Sequence, residues 1–391
     1  MAKLAPGIKL LRSLTKAAKS NRSMGLKLLD AMAPAPKPKR PARKTSANSA
    51  AKRAATVAAA PAALTSVRRP AASSLPRASG RFIGAHYSPS QPGQGASPRM
   101  AYWLYLPERV PDSVAQHGWP LVVMLHGCHQ SATQFAEGTR MNRLAEELGY
   151  AVLYPQQPAS VQAQRCWRWY DRATQQGEGE TAVLAALIQQ VCVRHPVDRR
   201  RIYACGLSAG AGMAAVLALN HPELIAAVGL HSSPVFGAGH SPIGALHVMR
   251  HGVPAQLDTA IHGLLQRRSL AGAPRLAGAM PPMPAILIQG EDDQVVHPVN
   301  QQHLARQWLQ LNGLPVGPAT RVAVKAAGRG GSRNAHEIHD YLVGRKLLLR
   351  VARVTGLGHA WSGGDPAVTF HTRAGPDASR MVLDFFGRHR R

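Results

Sequence analysis

A serine lies between two glycines in Gly206-Leu207-Ser208-Ala209-Gly210, after the strand-like run RIYACG (201–206) and before a helix-like run from Ala209 to Asn220. A serine hydroxyl is a weak nucleophile near neutral pH and needs a base to take its proton. At a sharp strand-to-helix turn, flanking glycines remove side chains that would collide with neighbouring backbone. The hydroxyl then projects over the edge of the sheet. That context, more than the five-residue pattern, makes Ser208 the candidate nucleophile. At such turns the acid and then the histidine follow in chain order. ILIQGEDDQVVHP places Glu291, Asp292 and Asp293 after an apolar strand. Asp293 is assigned as the acid, three residues after Gly290 and three before Val296, with Asp292 as the alternative. VTGLGHAWSGGD supplies His359 as the base, between two small residues in a loop after the last strand. Its Nε2 would take the Ser208 proton while Asp293 holds the other ring nitrogen. His297, beside the acid, is the competing base, and His336 and His339 read as surface-loop residues. A tetrahedral intermediate also needs donors aimed at its oxyanion. The backbone N–H of Ala209 is one, and that of Cys128, in LHGCHQ (125–130), is assigned as the other.

Strands and helices alternating along the chain must position these groups. RFIGAHY (81–87) and MAYWLYLP (100–107) read as two antiparallel strands joined by a Gly/Pro/Ser-rich turn region. PLVVMLHG (120–127), AVLYP (151–155), RIYACG, AAVGLHSS (226–233), AILIQG (285–290) and LLLRVARVTGLGH (347–359) follow as strands. Between and after them, helices are expected near 140–148, 180–194, 209–220, 298–311 and 377–388. A Pro/Gly/His-rich excursion separates the strand near 226 from the one at 285. Strands apolar on both faces, alternating with helices, predict an α/β fold with a mostly parallel central sheet covered on both sides.

The 391 residues carry a formal net charge of +27, unevenly spread. Residues 1–80 hold 17 Lys or Arg and a single acid, Asp30, and so account for +16 of it. This stretch is expected to be a disordered basic arm, with a short amphipathic helix at 3–30 and an Ala/Pro/Lys-rich linker beyond. It would be attracted to anionic surfaces such as a granule coat, a membrane or nucleic acid. The catalytic domain is expected over 81–391. No run approaches the roughly 20 apolar residues of a membrane span. Four cysteines are too few for a disulfide scaffold. Residues 1–30 interrupt every short apolar run with Lys, Arg or Gly and give no clear secretory signal. A cytoplasmic, granule-associated location is therefore favoured, with an extracellular one as the alternative.

LHGCHQSATQF, YPQQ, CWRWY, GEGET, IYACGLSAGAGM, GEDDQVVHP and GLGHAWSGGD occur in that order across roughly residues 100–386. Together they resemble the polyhydroxybutyrate (PHB) depolymerase family of esterases, which includes feruloyl and acetylxylan esterases. The resemblance implies an α/β-hydrolase fold, no metal or organic cofactor, and cleavage of esters of 3-hydroxyacids or aromatic acids. It implies Ser208, Asp293 and His359 as a triad and a disulfide between Cys128 and Cys166. It also places Trp167, Trp169 and Trp361 around the acyl pocket, or else in the plain core. Poly(3-hydroxybutyrate) or its oligomers are the expected substrates. A feruloyl, acetylxylan or general short-chain esterase is the alternative, and a granule- or nucleic-acid-binding protein acting through the arm is the alternative of another class.

Overall fold

Strands that alternate between two apolar sets have two faces to bury, and this fixes the layers. The computed structural model describes residues 78–88, 99–253, 257–270 and 281–391. Nearly all of the basic arm, the amphipathic helix expected at 3–30 and most of the first turn region lie outside the described residues. The strands are β1 (Arg81–Tyr87), β2 (Met100–Leu106), β3 (Trp119–Leu125), β4 (Ala151–Pro155), β5 (Val197–Leu207), β6 (Ala227–His231), β7 (Ala285–Gly290), β8 (Arg321–Lys325), β9 (His336–Val343) and β10 (Lys346–Val354). They form one sheet in the order β1-β2-β4-β3-β5-β6-β7-β10-β9-β8. The central six, from β4 to β10 in that order, are parallel. β1 and β2 extend one edge antiparallel, and β9 and β8 extend the other.

Helices cover both faces. Of the ten α-helices described, α1 (Asp112–His117), α2 (Ala132–Thr139), α3 (Met141–Leu148), α4 (Arg172–Gln175) and α5 (Gly179–Arg194) precede Ser208. α6 (Ala209–Asn220), α7 (Pro242–His251), α8 (Leu257–Leu270), α9 (Val299–Leu311) and α10 (Ala378–Phe386) follow it. In β3, Leu121, Val123 and Leu125 join the core beneath α5, α6 and α9. Val122 and Met124 join the opposite core beneath α2, α3 and α10. The period of two along one strand thus feeds two cores. α6 is buried along its length up to Leu219. A helix apolar all round belongs in the interior, and α6 lies against β5, β6 and β3.

Several elements depart from expectation. α7 and α8 occupy the excursion after β6. α7 starts where Ser241 caps the Gly244 N–H and Pro242 takes the first turn. The sheet continues past β10 into β9 and β8, so His336 and His339 are strand residues, not loop residues. His336 is buried. β9 takes its backbone partners from β10 and β8 while its side chains stay half-solvated, so HEIHDYLV lacks an apolar signature.

Candidate active site

Ser208 sits between the end of β5 and the start of α6 with φ 58° and ψ −123°. A non-glycine residue rarely adopts this positive φ, and it persists only where the surroundings enforce it. Ser208 N–H donates to His231 O at 3.0 Å, and Ser208 O accepts from Gly212 N–H at 3.0 Å. A Cβ on Gly206 would collide with the Gly210 backbone. One on Gly210 would collide with the carbonyls of Leu125 and His126. Both glycines are required for α6 to start this close to β5 and β3. The serine is left 6% exposed at the carboxyl edge of the parallel strands.

β6, β7 and β10 end at that same edge. After β7 the chain turns, and Glu291 N–H and Asp292 N–H donate to Val354 O and Leu357 O, which ties the acid loop to the end of β10. Glu291 and Asp292 point to solvent, whereas Asp293 is fully buried. Its Oδ1 accepts from the N–H groups of Val295 (3.0 Å) and Val296 (2.9 Å). Its Oδ2 pairs with His359 Nδ1 at 2.8 Å and accepts from Gln289 Nε2 at 3.0 Å. Burial would raise the Asp293 carboxyl; the His359 hydrogen bond and charge and the Val296 and Val295 amides outweigh it and hold the group below its ordinary value. With Nδ1 donating to a carboxylate, His359 keeps Nε2 free to accept a proton. Its ring is 11% exposed and lies edge-on to Phe370. His297 is exposed, with Nδ1 accepting from Val299 N–H at 3.3 Å. The structure therefore joins His359 to Asp293, and leaves Asp292 and His297 out of the pair. Among the described residues no hydrogen bond joins His359 to Ser208.

The loop after β3 closes on the elbow. A Cβ on Gly127 would stand 3.4 Å from Leu207 O and 3.6 Å from Ser208 Cβ, so this loop packs directly beside Ser208. Gly127 N–H is held by Gln130 Oε1 at 2.8 Å. The Cys128 and Ala209 N–H groups, assigned from sequence as oxyanion donors, have no acceptor among the described residues. Cys128 is bonded to Cys166, 38 residues later, with the two Cα atoms 4.3 Å apart. Behind this loop His126 donates from Nδ1 to Gly127 O (2.8 Å) and accepts at Nε2 from Gln157 N–H (3.2 Å). Burial lowers its pKa to about 4, so the ring is neutral. Gln157 in turn donates to Glu180 Oε1 at 2.6 Å, which anchors the segment carrying Cys166 to α5.

The three tryptophans expected at the acyl pocket lie in the core. Trp167 and Trp361 are fully buried and Trp169 is 3% exposed. Trp169 fills the space above Gly212, whose Cβ would meet its Cγ at 2.9 Å. Trp361 lies on the opposite core, edge-on to Phe135 and stacked on His231. Their size and burial make them supports of the site rather than its walls. Gln289 and His231 were not among the sequence candidates. Each is a polar residue near or at the end of an otherwise apolar buried strand, and that was their signal. Two cavities of about 210 Å³ lie elsewhere, one beside Phe236 and Arg267 and one beside Gln289 and Arg353; neither is lined by Ser208, Asp293 or His359. Among the described residues no group of three or more His, Cys, Asp or Glu side chains is placed to hold a metal.

A family model described as esterase PHB depolymerase matches residues 100–330. The chain belongs to the esterase PHB depolymerase family. It is 28% identical over 258 residues to poly(3-hydroxyalkanoate) depolymerase C of Paucimonas lemoignei, covering 66% of this chain and 58% of that relative. It is 26% identical over 226 residues to acetylxylan esterase A of Talaromyces purpureogenus, covering 56% of each. The chain thus spans just over half the length of these two relatives. Among solved structures, an acetyl xylan esterase from Aspergillus awamori matches with a TM-score of 0.55 at 20% identity, over 74% of this chain and 94% of that one. The chain therefore has the α/β-hydrolase fold.

Proposed function

We propose that the chain is a serine carboxylic-ester hydrolase working through an acyl-enzyme on Ser208. The observation that carries this reading is the buried Asp293–His359 pair at the sheet edge where the Ser208 elbow projects. Ser208 Oγ attacks the ester carbonyl as His359 Nε2 takes its proton. Asp293 fixes the ring orientation and stabilises the imidazolium. The Cys128 and Ala209 N–H groups receive the oxyanion, where such donors act without reorganisation. Collapse breaks the carbonyl–alkoxy bond, and His359 returns the proton to the leaving alcohol. Water, deprotonated by His359, then releases the acid and restores the serine.

The preferred substrates are poly(3-hydroxybutyrate), its oligomers or related hydroxyacid esters, a choice supported by the named activity of the Paucimonas relative. A second reading, an acetylxylan or feruloyl esterase, is favoured by relatives carrying those names at similar identity. Residues 81–391 form the catalytic domain of this reading and residues 1–80 an arm for an anionic surface. Turnover of 3-hydroxybutyrate oligomers, acetylated xylan and methyl ferulate by the same preparation separates the substrate readings. Faster turnover of the oligomers supports the first, and preference for either of the others replaces it. No turnover of any ester would remove the hydrolase reading itself.

A further inference from the structure

β6 is an apolar strand until its last residue, AVGLH, and that residue, His231, is 1% exposed. Its backbone oxygen accepts the Ser208 N–H at 3.0 Å. Its ring reaches the loop that carries His359, where Nε2 accepts from the Ser362 N–H at 3.3 Å. Nδ1 lies 3.2 Å from Ser232 Oγ. The ring stacks on Trp361, centroids 5.0 Å apart at 25°. Trp361 is pinned in turn by its Nε1–H to Ser379 Oγ at 3.1 Å. Ser362 Oγ donates to Pro376 O at 2.6 Å and closes the far side of the same loop. One residue therefore touches the backbone of the nucleophile elbow and, through its ring, the two residues that follow Ala360.

We propose that His231 is a positioning residue: a neutral imidazole, protonated at Nδ1, that fixes the loop of His359 to the elbow of Ser208. The proposal rests on the reading that Ser208 and His359 act together. The tautomer follows from the partners, because an amide N–H can only donate and so Nε2 must be the unprotonated nitrogen. Nδ1–H is then the donor to Ser232. Burial favours the neutral ring, pushing its pKa down to about 3; the nearby Asp293 opposes this, while His359 and His371 reinforce it. Asp293 cannot recruit His231 as a second imidazolium partner, since both its oxygens are already occupied by His359, Gln289, Val295 and Val296. A phenylalanine in this place would keep the stack on Trp361 but leave the Ser362 N–H buried without an acceptor. A neutral histidine satisfies that donor without adding a positive charge beside the imidazolium that forms on His359.

The test has a spectroscopic arm and a kinetic arm. In ¹⁵N-histidine-labelled protein, the imidazole signal absent from the His231→Gln variant should show a protonated Nδ1 and a bare Nε2. It should not titrate between about pH 5 and 9, where an ordinary histidine does. A signal that titrates in that range, or an Nε2–H tautomer, overturns the proposal, and this readout needs the His231→Gln variant only to assign the signal, whatever its activity. In kinetics on p-nitrophenyl butyrate, His231→Phe should lower kcat by roughly ten- to a hundredfold with KM within about twofold, as expected of a misplaced base. His231→Gln, which offers an acceptor at similar reach, should recover kcat to within about threefold of the unsubstituted enzyme. Unchanged kcat in His231→Phe, or a loss that His231→Gln fails to recover, overturns it. Ser208→Ala is run alongside: if it is inactive while His231→Phe is fully active, only the His231 proposal fails. If Ser208→Ala keeps its activity, the reading of the site fails and takes this proposal with it.

Discussion

Asp293 has two oxygens and four donors around them, and only one of those donors is on a ring. The amides hold the carboxylate whether or not it is charged, but the charge is what favours an imidazolium on His359. Asp293→Asn keeps the size of the side chain and removes that charge, and the amide can present an N–H to Nδ1 and reverse the tautomer. A kcat loss on the order of 10³–10⁴ on a soluble p-nitrophenyl ester is expected, with KM little changed. Steady-state kinetics at neutral pH would show it, and a loss below about tenfold would argue against Asp293 as the acid. Ser208, Asp293 and His359 were legible as candidates in the sequence because each lies in a loop after an apolar strand, in a fixed chain order, and the structure pairs the last two. The choice of Asp293 over Asp292 becomes physical only in three dimensions, where one is buried against a ring and the other faces water. His231 and Gln289 were not legible as site residues, because their partners come from other strands and from loops more than 100 residues away or around a turn.

At the scale of elements, glycines and ion pairs set how closely the pieces meet. Gly210→Ala would force α6 away from the β3 carbonyls, and overpacking of this kind costs about 1–3 kcal/mol. A lower urea midpoint with reduced activity is the expected outcome; an unchanged midpoint would contradict a close contact between Gly210 and the carbonyls of Leu125 and His126. The sheet extension depends on Asp340, which is buried on β9 between Arg350 of β10 and Arg321 of β8. Burial would raise its carboxyl, but the two guanidinium groups outweigh this and hold it low. A depressed folded value contributes stability that is complete above the ordinary carboxylate range, roughly pH 3.9, and is lost as pH falls through the folded value. Asp340→Asn should therefore cost about 3 kcal/mol at pH 7, near the lower end for a broken buried pair because Arg321 is largely exposed. The gap between variant and unsubstituted protein in urea unfolding should shrink as the pH is lowered through the folded value. A constant gap at all pH values would contradict this account of Asp340. Replacing both Cys128 and Cys166 with alanine opens a 38-residue loop and is expected to cost about 2–4 kcal/mol. Equal urea midpoints with and without the bridge would rule that out. The central strands were legible because both of their faces are apolar. β8 and β9 were not, since half-solvated edge strands carry little periodic signal. α2 was missed although its capping box, Ser131 with Gln134, stands in the sequence as SATQ.

For the molecule as a whole, charge and catalysis fall on different parts of the chain. Residues 1–80 carry +16 of the formal +27, while the proposed catalytic groups lie between residues 128 and 359. If the arm serves to dock the enzyme, deleting residues 1–75 should leave kcat on a soluble ester within about twofold and abolish binding to an anionic surface such as heparin or anionic vesicles. In the full chain that binding should weaken steeply as salt is raised from about 50 to 200 mM, because screening removes the attraction. Binding that is insensitive to salt, or retained after deletion, would contradict a docking role. The fold class was legible at this scale from the alternation of strands and helices. The preference among polyester, acetylated xylan and feruloyl substrates was not, because it depends on the shape of the acyl site, and the tryptophans that marked that site in the sequence lie in the core.

The most direct test of the central claim is to treat the protein with a serine-directed fluorophosphonate and map the modified peptide by mass spectrometry, alongside Ser208→Ala assayed on p-nitrophenyl butyrate. The expected result is a single adduct on Ser208 and a loss of at least about a thousandfold in kcat for the variant. An adduct on a different serine, or a Ser208→Ala enzyme that hydrolyses the ester at the original rate, would contradict it.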